Sequence, residues 1–105
     1  MEYSKSMFEY WTEDDFASSF RKMLTIEQFR SEEMQKLYQQ YLVAGPASYV
    51  KALFESIGIV NAKDKAARFY AVMHFYYSLY DGAADKEKVK VEFVSAIKSL
   101  VQDLA

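Results

Sequence analysis

Cysteine is absent from the 105 residues, which removes disulfides, thiolate metal sites and cysteine nucleophiles from consideration. Histidine occurs once, at position 74, so the clustered His and Cys ligands of a zinc site cannot be assembled. One proline and three glycines are too few turn formers for a sandwich of many short strands. No apolar run approaches the roughly 18–20 residues of a membrane span. Met1-Glu2-Tyr3-Ser4-Lys5 lacks the basic start and apolar core of a secretion signal. A cytoplasmic location without a membrane partner is the expectation.

Positive charge is not in excess either. Thirteen Lys and Arg meet fifteen Asp and Glu, for a net charge of −2, so the chain lacks the basic footprint that meets nucleic-acid phosphates. The glycine-rich phosphate loop, G-x-S-x-G and H-E-x-x-H are all missing. No cofactor, no metal and no enzymatic activity are expected.

What the sequence does have is apolar and aromatic mass: 51% hydrophobic residues, with nine Tyr, eight Phe and one Trp. At this length one domain with a real core is expected. Apolar residues recur at helical spacing along the chain. Tyr3, Met7, Tyr10 and Trp11 form a first stripe that starts with no capping residue before it, as though residues 1–11 were the tail of an upstream helix. Thr12-Glu13-Asp14-Asp15 reads as a helix start, with Thr12 as the cap and acids at the positive end of the helix dipole. Phe16, Phe20, Met23 and Leu24 then carry a stripe to about Gln28. Ser31-Glu32-Glu33 opens the next helix, with Met34, Leu37, Tyr38, Tyr41 and Leu42 on one face. Gly45-Pro46 reads as a break, a left-handed glycine followed by a first-turn proline. Beyond it, Tyr49, Val50, Leu53, Phe54 and Ile57 share a face until Gly58. Asn61 with Asp64 opens a helix through Tyr80 that Asp81-Gly82 stops. Asp85 caps the last helix, which turns Val89, Phe93, Ala96, Ile97, Leu100 and Leu104 to one side.

The helix from Ala62 to Tyr80 differs from the others. Phe69, Met73, Tyr76 and Tyr80 make one face, Tyr70 and Tyr77 lie beside it, and Val72, Phe75 and Leu79 extend apolar surface further round. The remaining strip is Ala67, Ala71, His74 and Ser78. A helix apolar nearly all round must be covered nearly all round, and small side chains let a partner helix approach closely. A second copy of the chain could supply that cover; the other reading is a central helix in a monomeric core.

His74 has no carboxylate at helical spacing to orient it as a base. A partly buried, hydrogen-bonded ring is the plainer reading, and contact with a ligand is the functional one. The pairs Asp14/Asp15 and Glu32/Glu33 point about 100° apart on a helix and suit helix starts. Lys86, Lys88 and Lys90 read as a solvated face. The tyrosine hydroxyls outnumber what a tight core accommodates, because each buried one needs a partner. The aromatic and Met residues read mostly as core, and a cavity lined by apolar groups and a few hydroxyls, as in small-molecule sites, is the functional reading beside it.

Phe20 to Met34 (FRKMLTIEQFRSEEM), Leu37-Tyr38-Gln39-Gln40-Tyr41 followed by Ala44-Gly45-Pro46, and Ala67-Arg68-Phe69-Tyr70-Ala71 through Tyr77 to Gly82 together resemble the C-terminal domain of TetR-family transcriptional regulators. The similarity runs from about Phe8 onward. It implies an all-α orthogonal bundle of about five helices, the last two (62–80 and 86–104) forming a four-helix bundle with a second subunit. It also implies a homodimer that takes up a small, largely apolar inducer and acts as the sensing part of a repressor. DNA would be reached only through an N-terminal helix-turn-helix domain, which these 105 residues do not include. On this basis Trp11, Phe20, Met23, Leu24, Tyr41, Tyr70, Met73, His74 and Tyr77 are expected around the ligand. Ala67, Ala71, His74, Ser78, Phe93, Ile97, Leu100, Val101 and Leu104 are expected at the dimer interface. A stand-alone helical module that heterodimerises with a regulator, without ligand, is the alternative.

Overall fold

Six α-helices and one π-helical segment make up the computed structural model, which describes residues 2–104; among these no β-strand occurs. They are α1 (Glu2–Glu13), α2 (Asp15–Glu27), α3 (Glu32–Tyr38), a π segment (Gln39–Val43), α4 (Ala44–Ser56), α5 (Ala62–Gly82) and α6 (Lys86–Asp103). No helix of the described residues is long and apolar enough to cross a membrane.

The helix starts follow local chemistry. Ser31 accepts from the Met34 amide at 3.2 Å and Asp85 accepts from the Lys88 amide at 3.1 Å, each satisfying an amide that the first turn leaves open. Between α1 and α2 the cap is Asp14, not Thr12: Asp14 accepts from the Ala17 amide at 2.9 Å. Thr12 is instead buried in α1, where its hydroxyl donates to the Phe8 carbonyl at 2.5 Å. Asn61 adopts a left-handed backbone (φ 56°) and makes no side-chain cap. Its carbonyl takes the Lys65 amide at 3.1 Å.

Gly58 ends α4 as expected. It is left-handed (φ 80°), its amide donates to the Glu55 carbonyl, and the Ile59 amide donates to Phe54 at 3.0 Å. This pair of bonds closes the last turn in the Schellman arrangement, and Ile59 packs against the core that holds Phe54.

The expected break at Gly45-Pro46 does not occur. The chain runs from α3 through the π segment directly into α4, and the irregular residue is Val43 (φ −131°, ψ −83°). Glycine is needed at 45 for space, since a Cβ there would stand 1.8 Å from the Gln40 carbonyl oxygen. Pro46 keeps its expected first-turn place, and its missing N–H has a tertiary consequence. In a helix the Leu42 carbonyl would receive the amide of residue 46. The buried Tyr70 hydroxyl of α5 donates to that carbonyl instead. Tyr70→Phe should therefore cost about 1–2 kcal/mol, and Pro46→Ala, which restores a donor, should shrink that loss in a double-mutant cycle. Equal losses in both backgrounds would show that Leu42 has another partner.

Two cores result. The larger joins Phe8 of α1, Val50 and Phe54 of α4, Val89, Phe93 and Ile97 of α6, and the inner face of α5 from Ala62 to Tyr80. The smaller joins Leu24 of α2 with Tyr38 and Leu42, and half-buried Trp11 packs against both. On α2 the expected stripe is displaced. The buried face is Ala17, Ser18, Arg21 and Leu24, while Phe16 is 75% and Met23 40% exposed. This rotation places Arg21 against Asp81, at 2.6 Å. On α1 the buried line is Ser4, Phe8 and Thr12, with Tyr3, Met7 and Trp11 beside it.

Candidate functional site

The outer face of α5 is open. Ala67, Ala71, Phe75, Ser78, Leu79 and Gly82 are all exposed along it, and hollows line it on both sides. One is a cleft of about 430 Å³ between α5 and the start of α4. Its walls are Val43, Ala47, Ala67, Tyr70, Ala71, His74 and Phe75, which make it almost wholly apolar. The small side chains at 67 and 71 are what create the space. Tyr70 brings a hydroxyl already committed to Leu42, so His74 is the wall's one available polar side chain.

A second hollow, of about 300 Å³, opens where α2 meets the end of α5. Arg21, Lys22, Thr25, Ile26, His74, Ser78 and Asp81 line it. His74 belongs to both hollows and forms their junction. Here the chemistry is charged. The Arg21 side chain is 6% exposed; its Nε donates to the Trp11 carbonyl at 3.0 Å and its Nη2 to Asp81 Oδ1 at 2.6 Å. Lys22 Nζ stands 3.9 Å from the same carboxylate oxygen. The Arg21 guanidinium also lies 5.6 Å from the centre of the Tyr77 ring, a cation–π distance.

Burial, and secondarily the positive charge of Arg21, hold the His74 imidazole below its ordinary pKa. It is therefore neutral at pH 7, with one donor and one acceptor nitrogen. Its Nε2 is 3.5 Å from the Tyr38 hydroxyl. Burial pushes the Tyr70 and Tyr77 phenols upward, with neighbouring tyrosines adding to the effect, so both remain protonated. Among the described residues no group of three or more His, Asp or Glu could hold a metal ion.

Of the nine residues expected around a ligand, Tyr70 and His74 line the cleft. Leu24, Met73 and Tyr77 are fully buried core. Trp11 and Phe20 are half-buried, Phe20 standing edge-on to Tyr41 at 5.5 Å. Met23 and Tyr41 face outward. Val43, Ala47 and Phe75 were not expected in the wall, nor were Arg21, Lys22 and Asp81 in the second hollow. The strip expected to meet a partner, Ala67, Ala71, His74 and Ser78, is shared among these hollows. Of the other residues expected there, Phe93 and Ile97 are buried in the chain's own core, Phe93 stacked on Phe8 at 4.3 Å. Leu100 and Leu104 are half-buried, and Val101 is exposed. In the lysine cluster, Lys86 donates to the Tyr80 carbonyl at 2.7 Å and Lys90 to Glu13 at 2.8 Å, so both serve the fold.

No protein-family model, curated protein or solved structure matches the sequence.

Proposed function

We propose that this chain is the ligand-sensing and dimerisation part of a TetR-like transcriptional regulator, a repressor released by a small, largely apolar inducer. The observation that carries the reading is the apolar cleft on α5, where alanines at 67 and 71 leave room beside a single available polar group, His74. A concave apolar site with one or two orienting polar groups is the usual form of a small-molecule pocket. The sequence resemblance set out above points the same way. Sensing would work by population shift: a ligand that binds one arrangement better biases the protein toward it, and so alters the spacing of DNA-binding heads attached to the two subunits.

Homodimerisation is part of the proposal. Exposed Phe75, in the cleft wall, and Leu79 beyond it on α5 offer apolar surface to a second copy. No catalytic role is assigned.

The test uses uncharged ligands, hexan-1-ol through decan-1-ol and simple aromatic alcohols. At least some should raise the melting temperature in a concentration-dependent way, as a ligand binding only the folded state must. Ala71→Trp, which fills the cleft, should abolish the shift while leaving the protein folded by circular dichroism. The same samples should sediment near twice the chain mass of 12.2 kDa. Unchanged melting with every alcohol would remove the sensing reading. A monomer at micromolar concentration would remove the dimer. The heterodimerising module draws on the same open apolar strip along α5, with a different partner seated on it. It predicts a monomer that binds no alcohol.

A further inference from the structure

The cleft and the charged hollow meet at one side chain, His74, which lines both. Together they make an elongated site with unlike ends. One end is walled by Val43, Ala47, Ala67, Ala71 and Phe75. The other presents Arg21 and Lys22 against a single carboxylate, Asp81. Two cations and one anion leave that end one positive charge in excess, and neutral His74 adds none.

Hydrogen-bond capacity agrees with the charge count. A guanidinium carries five N–H donors. The bonds to Trp11 and Asp81 take two of them, so three remain on a side chain held almost out of water. The Thr25 hydroxyl is spent on the Arg21 carbonyl at 2.8 Å, which leaves Arg21, Lys22, Ser78 and His74 as the donors a ligand would find, beside the Asp81 carboxylate that Arg21 already engages. A planar guanidinium with spare donors, desolvated and fixed by a partner, is well suited to a carboxylate. An ammonium group would meet two like charges, with Asp81 already engaged.

Resting on the ligand-sensing reading above, we infer that the ligand is an amphipathic anion, an apolar chain or ring bearing one carboxylate. Its tail lies over Ala67 and Ala71, and its acid meets Arg21 and Lys22. The rise of α5 from Ala67 to Ser78, about 16 Å at about 1.5 Å per residue, sets the length such a molecule can use.

The experiment compares three probes of equal chain length on the intact chain at neutral pH by calorimetric titration: octanoate, octan-1-ol and octylammonium. Octanoate should bind about tenfold more tightly than octan-1-ol, the size of one charge-assisted hydrogen bond, and octylammonium more weakly than either. Lys22→Glu, a change at a half-exposed side chain that avoids the buried Arg21, should remove the preference for octanoate. Ala71→Trp should weaken binding of both octanoate and octan-1-ol. Equal affinity for octanoate and octan-1-ol, or tighter binding of octylammonium, overturns the anion assignment and leaves the apolar-ligand reading standing. Binding of none of the three overturns both.

Discussion

Phe8→Ala should destabilise the fold by about 4 kcal/mol, within the range found when a buried phenylalanine is truncated. Phe8 is 2% exposed and is the one large apolar side chain that α1 buries fully; its buried companions are Ser4 and Thr12. The ring stacks on Phe93 at 4.3 Å, meets Tyr80 edge-on at 5.6 Å and lies 6.0 Å from Tyr77. Truncation would leave a ring-sized void between three helices and also forfeit aromatic pairs worth roughly 0.5–1.5 kcal/mol each beyond their area. Against a total stability of about 5–15 kcal/mol for a domain of this kind, that loss is between about a quarter and four fifths of the whole. Phe8→Leu, which retains much of the volume, should cost under about 1.5 kcal/mol. Urea unfolding of the three proteins measures both differences. A loss below about 2 kcal/mol for the alanine variant would show that α1 is held mainly by other contacts, such as the Glu13–Lys90 ion pair at 2.8 Å.

Asp81→Ala should cost about 3 kcal/mol, although Asp81 itself is a quarter exposed. The cost arises at Arg21, which would be left buried with one donor group stripped of its partner. An uncompensated buried charge is far more expensive than the intact pair is valuable. The same argument fixes the outcome for the double variant Arg21→Met with Asp81→Leu. Removing both charges together should return stability to within about 1 kcal/mol of the parent, because an apolar pair of similar size replaces an ion pair whose desolvation roughly cancels its attraction. Chemical denaturation at low and high salt tests this. If Asp81→Ala costs less than about 1 kcal/mol, water reaches Arg21 and the hollow is more open than its side-chain exposure indicates.

The helices are legible in the sequence because their ends are written in local chemistry. Ser31, Gly58 and Asp85 act through bonds to residues within a few positions, which any reading of neighbours can find. The rotation of each helix is less legible, because it is decided by partners far along the chain. On α2 the largest apolar residues suggest a face containing Phe16 and Met23. The helix buries Ala17 and Ser18 instead, and its buried Arg21 meets Asp81 sixty positions along the chain. Gly45 misleads for a similar reason. Glycine before proline resembles a chain break, yet here it makes room for a carbonyl five residues earlier. The cleft was half visible. The small-residue strip at 67, 71, 74 and 78 stands out as a special face of α5, but sequence alone cannot tell a face that receives a helix from one that leaves a hollow. The charged hollow gave no signal, since a lone arginine within an amphipathic helix ordinarily faces water.

His74 lines both the cleft and the charged hollow, and its ring stands within reach of Tyr38 in the smaller core. A side chain shared in this way ties the two half-sites into one equilibrium. Whatever factor the occupant of the charged end imposes on affinity at the apolar end, the apolar occupant must impose in return, because the cycle of binding steps closes. For two separate small molecules that reciprocity is a measurable cooperativity of either sign. For a single molecule long enough to reach both, the second contact forms at the high effective concentration set by the first. On the proposed reading, the position of one imidazole would make molecular length a quantity that the protein discriminates.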